Sequence, residues 1–209
     1  DSKSGAIESY DGREVAPQTA HSRMFLNAKG EPKSFFDAVV GGQSVGVPGL
    51  VRMLEMAHKE HGKLPWEELF LPAIRLAKNG FHVTPRLAKQ LAREKYLRNT
   101  KASLGYLYHL NGEAKKEGTI IKNPTFAKTM LSIAKNGANA FYTGNIARSI
   151  IHAIRSAKKN PGSMTLDDLA NYRALKRTPV CGAYRDKLVC GMGPPSSGGI
   201  ATLQILGLI

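Results

Sequence analysis

The stretch that most constrains this chain is Gly191-Met-Gly-Pro-Pro-Ser-Ser-Gly-Gly199 and the apolar run at 200–209 behind it. Pro194 and Pro195 end a preceding strand, because proline brings no N–H to a ladder. Ser196 and Ser197 each offer a hydroxyl that can cap a helix start, worth about 1 kcal/mol. Gly198 and Gly199 allow a tight turn and the close approach of another element. Ile200, Leu203, Ile205, Leu206 and Leu208 then leave too little polar surface for a helix facing water on one side. No stop signal closes it at Ile209. The expectation is a fragment whose last helix is covered by polypeptide outside these residues.

The rest of the composition narrows the class. A chain of 209 residues is one large domain or two small ones at about 150 residues per domain. Hydrophobic residues at 42% and charged ones at 22% exclude a disordered chain. The net charge of +14 raises nucleic acid as a partner. The basic residues are scattered, however, as in Arg86, Lys89, Arg93, Lys95 and Arg98, and aromatics do not interleave with them as stacking platforms. Nucleic acid is therefore not expected. No apolar run approaches the ~18 residues of a membrane span. The first residue is Asp1 and no signal peptide is visible, so a leader, if there is one, lies upstream or has been removed.

The only cysteines, Cys181 and Cys190, flank a turn at Arg185-Asp186 between two apolar runs. A two-residue turn would place Tyr184 opposite Lys187, Ala183 opposite Leu188 and Cys181 opposite Cys190. Directly opposed residues have Cα atoms ~4.5–5.5 Å apart, within disulfide range. Two buried thiols are the alternative. No second Cys or His pair stands at ligand spacing, so no metal is expected.

Along the chain, a strand over 6–10 ends at Asp11-Gly12, and a short strand over 44–47 leads through Pro48-Gly49 into a helix over 50–61 stopped by Gly62. Phe35 and Phe36 are expected to be buried. Trp66 opens a helix to Gly80, with Pro72 as a kink or in its first turn. Thr84-Pro85 opens a helix to about Lys95, and Asn123-Pro124 one to Asn136. A long helix over 145–159 ends before Pro161-Gly162, and Thr165-Leu-Asp-Asp168 starts a short one with acids in its first turn. There is no internal repeat and no low-complexity segment. The pattern is a mixed α/β protein whose helices pack on a sheet only partly contained in these residues.

Residue chemistry alone names no reaction. No serine sits in a strand-to-helix elbow between glycines. Ser196 and Ser197 could place amides as an oxyanion hole, but no histidine follows them. The glycine-rich stretch at 41–49 lacks the spacing of a nucleotide loop. His58 and His61, three apart without a carboxylate partner at ligand spacing, read as surface. Arg13 follows a strand end and a glycine, where its planar fork could take a carboxylate or pair with a surface acid.

Several segments together resemble the γ-glutamyltranspeptidases. They are Asp11-Gly-Arg-Glu-Val-Ala-Pro17, Arg23-Met-Phe-Leu26, Val45-Gly-Val-Pro-Gly49, Gly62-Lys-Leu-Pro-Trp-Glu-Glu-Leu69, Pro72-Ala-Ile-Arg-Leu-Ala77 with Gly80-Phe81, and Gly137-Ala-Asn-Ala-Phe-Tyr-Thr-Gly144. The segment 165–173 and Pro194-Pro-Ser-Ser-Gly-Gly199 complete the set, in family order over nearly the whole chain.

The resemblance implies an N-terminal-nucleophile hydrolase, an αββα sandwich from a precursor that cuts itself into large and small subunits. Residues 1–209 would be a single partial domain from the middle of the large subunit. The nucleophile would be the N-terminal Thr of a small subunit that these residues do not include; no Thr here matches it. That Thr would take the γ-glutamyl group from glutathione and pass it to water, an amino acid or a peptide, without a cofactor. Arg13, in the Arg-Glu-x-Ala-Pro motif, would bind the donor's α-carboxylate, with Glu14 bracing the turn. A cephalosporin acylase, a poly-γ-glutamate transpeptidase or a non-catalytic basic binding module on the same scaffold are the alternatives. The family also implies export to the periplasm, the cell surface or the medium.

Overall fold

The computed structural model describes residues 4–209. Its elements are β1 (Ser9–Asp11), α1 (Phe35–Val39), α2 (Leu50–His61), a 3₁₀ turn (Trp66–Phe70), α3 (Leu71–Asn79), β2 (Phe81–His82), α4 (Pro85–Arg93), a second 3₁₀ turn (Leu97–Asn99), β3 (Ile120–Ile121), α5 (Pro124–Asn136), α6 (Asn139–Tyr142), α7 (Gly144–Arg155), α8 (Leu166–Ala170), β4 (Leu175–Arg177), β5 (Val180–Tyr184), β6 (Lys187–Gly191) and α9 (Gly198–Leu208). Among the described residues the strands form three antiparallel pairs, β1 with β4, β2 with β3, and β5 with β6. The mixed α/β class is as the sequence implies.

Helix starts follow the caps in the sequence. Thr84 Oγ1 accepts from Leu87 N–H at 3.2 Å, and Asn123 Oδ1 from Phe126 N–H at 2.9 Å. Each helix has its proline in the first turn, where a missing N–H costs nothing. Thr165 and Asp168 make a reciprocal capping box. Pro72 lies in the first turn of α3, preceded by the separate 3₁₀ turn.

The core gathers around α7. Ala147, Ile151 and Ile154 lie four and three residues apart, so one stripe of the helix is buried. It meets Val47, Ala138, Tyr142, Met164, Leu169 and Tyr172. Tyr142 and Tyr172 stack with centroids 6.0 Å apart. Tyr142 is anchored from α2, whose Arg52 donates its N–H to the phenol oxygen at 3.2 Å and lays its guanidinium 4.5 Å over the ring.

Several expectations are corrected. Residues 44–47 form no strand: Val47 makes one bridge to Val15, and Pro48 has no N–H to carry the ladder further. Phe35 and Phe36 are 72% and 54% exposed, because α1 is a five-residue surface helix with no buried residue; Phe36 stacks on Tyr96 instead. Helix α4 stops at Arg93, since the Glu94 carboxylate accepts the N–H groups of Tyr96 and Leu97 and starts a new turn. Helix α7 stops at Arg155 because the chain beyond it is drawn onto the loop after α1. There Lys159 pairs with Asp37, Asn160 Nδ2 donates to the carbonyls of Asp37 and Val40, and Asn160 C=O accepts from Gly42 and Gln43. The pairing of β3 with β2 has no counterpart in the sequence reading.

The β5–β6 hairpin has the expected register: Tyr184 opposite Lys187, Ala183 opposite Leu188, Cys181 opposite Cys190. Arg185 takes φ +53° in its turn. Cys181 and Cys190 are disulfide-bonded, with Cα atoms 4.1 Å apart. Closing a loop of about ten residues removes roughly 2.5–3 kcal/mol of unfolded-state entropy. Cys181→Ser with Cys190→Ser is therefore expected to lower the urea midpoint of the complete protein, and reduction of the native protein should have the same effect.

Helix α9 lies on this hairpin, an α layer on a β layer. The contact is close because glycines face it: a Cβ on Gly182 would stand 3.0 Å from Leu203 Cδ2, and one on Gly191 2.8 Å from Gly199 Cα. No α9 residue is buried among the described residues; Ile205 and Leu208 are 60% and 86% exposed. Ser197 occupies the N-cap position but makes no side-chain cap bond, because its backbone is already helical. Ser196 Oγ accepts a long contact from Gly198 N–H at 3.4 Å. The capping role thus falls weakly to Ser196 alone.

Candidate functional site

Arg13 stands where β1 ends. Ladder pairing sets Asp11 opposite Leu175 and Ser9 opposite Arg177. Gly12 then passes α2 so closely that a Cβ there would lie 2.5 Å from Met53 Cβ. This contact explains glycine before Arg13 and fixes the direction in which the chain leaves the strand.

The Arg13 peptide is held on both sides. Its N–H donates to Asp11 Oδ1 at 2.9 Å, and its C=O accepts from the Tyr172 hydroxyl at 2.7 Å. The side chain is half exposed and meets Glu14 in a loose pair, Nε to Oε1 3.5 Å. Glu14 thus braces the arginine, and its stem packs beside Gly46, where a Cβ would come within 2.8 Å of Glu14 Cγ. Arg13 lines a cavity of about 120 Å³ with Asp11, Tyr172, Arg173, Arg177 and Pro195. The volume suits a group of carboxylate size, and the lining carries three arginines against two carboxylates, Asp11 and Glu14.

The neighbours missing from the sequence reading come from distant segments. Arg173 gives Nη1 to the carbonyls of Ala170 and Tyr172, both at 2.9 Å. Arg177 Nε donates to the second oxygen of Asp11. Pro195 brings the proline–serine–glycine stretch to the same cavity. No local spacing signals these contacts, because they depend on β1 pairing with β4 across more than 160 residues.

Asp11 is buried, and its carboxyl is held below the usual aspartate range, first by the Arg13 N–H and then by Arg177. A folded-state value below the unfolded one adds stability that is present above about pH 4 and lost as pH falls through the folded value. Asp11→Asn is expected to cost about 1–2 kcal/mol at neutral pH, since charge-assisted bonds become neutral ones. The variant should also show a shallower loss of melting temperature below pH 4 than the parent.

The other candidates are placed elsewhere. His58 contacts the Leu64 carbonyl at 2.8 Å. His61 belongs to an exposed network in which its Nε2 meets Tyr10 OH at 2.7 Å and Glu8 at 3.4 Å. Lys176 Nζ fills the space between the acids, 2.9 Å from Glu8 and 2.6 Å from Glu60. Burial first, then Glu60 and Glu8, push the Tyr10 phenol up to about 12. These groups satisfy one another, and the ammonium occupies the place a cation would need. Ser196 and Ser197 have no histidine contact.

The sequence profile of the γ-glutamyltranspeptidases matches residues 1–209. The chain belongs to the γ-glutamyltranspeptidase family. It is 37% identical to the glutathione hydrolase proenzyme of Escherichia coli strain K12 over 100% of its own length and 35% of that protein's. Among solved structures it superposes on Helicobacter pylori γ-glutamyltranspeptidase with a TM-score of 0.90 and 34% identity, over 98% of this chain and 58% of that one. It superposes on the Pseudomonas nitroreducens γ-glutamyltranspeptidase complexed with L-DON with a TM-score of 0.83 and 36% identity, over 96% and 58%. The chain therefore spans about a third of the curated relative's length, and its fold is that of the matching part of the N-terminal-nucleophile γ-glutamyltranspeptidases. Among the described residues no helix is long and apolar enough to cross a membrane.

Proposed function

We propose that residues 1–209 are part of the large subunit of an enzyme that cleaves the γ-glutamyl amide of glutathione and related donors. The observation that carries this reading is Arg13, in the family's Arg-Glu-x-Ala-Pro motif, which has its backbone pinned on both sides and lines a small cavity that two further arginines share. A guanidinium offers two parallel N–H groups to one carboxylate, which sets orientation as well as affinity. Arg13 binds the donor's α-carboxylate, and Glu14 braces it through a loose pair with Nε, which leaves the two terminal nitrogens to the donor.

The reacting hydroxyl belongs to a small subunit. Its N-terminal Thr attacks the γ-carbonyl carbon while its own amine takes the proton. The C–N bond breaks, the departing amine receives the proton, and a γ-glutamyl ester remains. Water or the amine of an amino acid or peptide then attacks that ester; the C–O bond to Thr breaks and the nucleophile's proton passes through the Thr amine to the freed hydroxyl. No step needs a metal or cofactor. The Cys181–Cys190 bond supports residence in an oxidising compartment, the periplasm or outside the cell.

The test is turnover of a γ-glutamyl anilide. The complete protein is expected to release the aniline, and faster with a dipeptide acceptor present. Residues 1–209 alone are expected to release none. Turnover by residues 1–209 alone, or none by the processed complete protein, would overturn the assignment. Alkylation of the protein from its native compartment without reductant should label neither cysteine; two labelled thiols would count against export.

A further inference from the structure

We infer that Tyr172 is a positioning residue for substrate, acting through the backbone of Arg13; this rests on the reading of Arg13 as the carboxylate-binding residue. The Tyr172 hydroxyl donates to the Arg13 carbonyl at 2.7 Å. It is one half of a clamp whose other half is the Asp11 carboxylate on the Arg13 N–H. The clamp holds the two peptide units on either side of the Arg13 Cα, beside the cavity that Arg13 lines, leaving the donor only the side-chain torsions to order. Binding gains when such ordering is done in advance.

The geometry around the phenol is built for this contact. Tyr172 is 5% exposed, stacked on Tyr142 and carried by the segment that leaves the capped helix α8. Its oxygen lies against Gly49, where a Cβ would stand 2.0 Å from Oη and 2.5 Å from the Gly12 carbonyl. The motif Val-Gly-Val-Pro-Gly49 thus ends in the one residue that admits the hydroxyl. Around the phenol stand Asp11 and Glu14; burial, and after it these two charges, push its pKa up, so it remains a donor at neutral pH.

The test uses the complete, processed enzyme and two competitive inhibitors that differ only in the α-carboxylate, L-glutamate and 4-aminobutanoate. The readout is the ratio of their inhibition constants, alongside the melting temperature. Arg13→Ala is the reference and is expected to abolish the preference for glutamate. Tyr172→Phe is expected to shrink it by about 5-fold, the effect of one ordinary hydrogen bond, with kcat less affected than KM for a γ-glutamyl anilide. A purely structural tyrosine would weaken both inhibitors alike and leave the ratio in place; with Arg13→Ala behaving as expected, that result overturns the positioning role. A ratio unchanged in Arg13→Ala would instead overturn the reading of Arg13, and the role of Tyr172 with it.

Discussion

Arg13→Ala in the complete protein raises KM for a γ-glutamyl donor by about 10- to 100-fold, the loss expected for hydrogen bonds to a charged group. The structure makes the effect fall on binding. The side chain of Arg13 has one loose partner, Glu14, at 3.5 Å, so its removal leaves no buried charge unpaired and should barely move the melting temperature. Its backbone bonds to Asp11 and Tyr172 survive the substitution. Arg13→Lys keeps the charge but loses the planar pair of donors, and is expected to recover only part of the affinity. Steady-state kinetics with a γ-glutamyl anilide decide the matter. Donor KM within 2-fold of the parent, given about one hydrogen bond as the smallest expected loss, would remove Arg13 from the site.

Gly42→Ala is expected to be strongly destabilising. A Cβ there would lie 2.0 Å from the Ile154 carbonyl oxygen and 2.7 Å from the Gly162 nitrogen. Both are backbone atoms. Ile154 C=O already accepts from Gly162 N–H at 2.9 Å, and Gly42 N–H donates to Asn160 C=O at 2.8 Å. No side chain can swing aside, so the loop and the end of α7 must separate. The cost is about 3–5 kcal/mol, or roughly 10 °C in melting temperature for a unit of this size. Thermal unfolding of Gly42→Ala beside the parent tests this; equal melting temperatures would contradict the close approach.

Gly42 also shows where the sequence reading stops. The glycine-rich stretch at 41–49 stands out in the sequence, but the physical reason for each glycine lies in another segment. Gly42 faces Ile154 and Gly162; Gly49 faces Tyr172. Helix starts were legible because their causes are local: a hydroxyl or amide side chain reaches an N–H three residues ahead, as at Thr84, Asn123 and Thr165. Helix ends were less so. Helices α4 and α7 stop early because Glu94 and Asn160 find partners outside the helical pattern. The register that sets Cys181 opposite Cys190 was legible because a two-residue turn determines every cross-strand neighbour, while the bond itself was decided by the structure.

By itself the sequence determined the family, the α/β class, the hairpin register and Arg13 as the residue to examine. Each rests on a local pattern or on motifs kept in order along the chain. Only the tertiary structure decided what stands around Arg13. Asp11 and Tyr172 are 161 positions apart in the chain, yet both hold the backbone of the same residue, Arg13. A strand pair, β1 with β4, and a tyrosine packed against a glycine bring them together. The forces responsible are close packing and hydrogen bonding between remote segments, which leave no periodicity for a sequence to display.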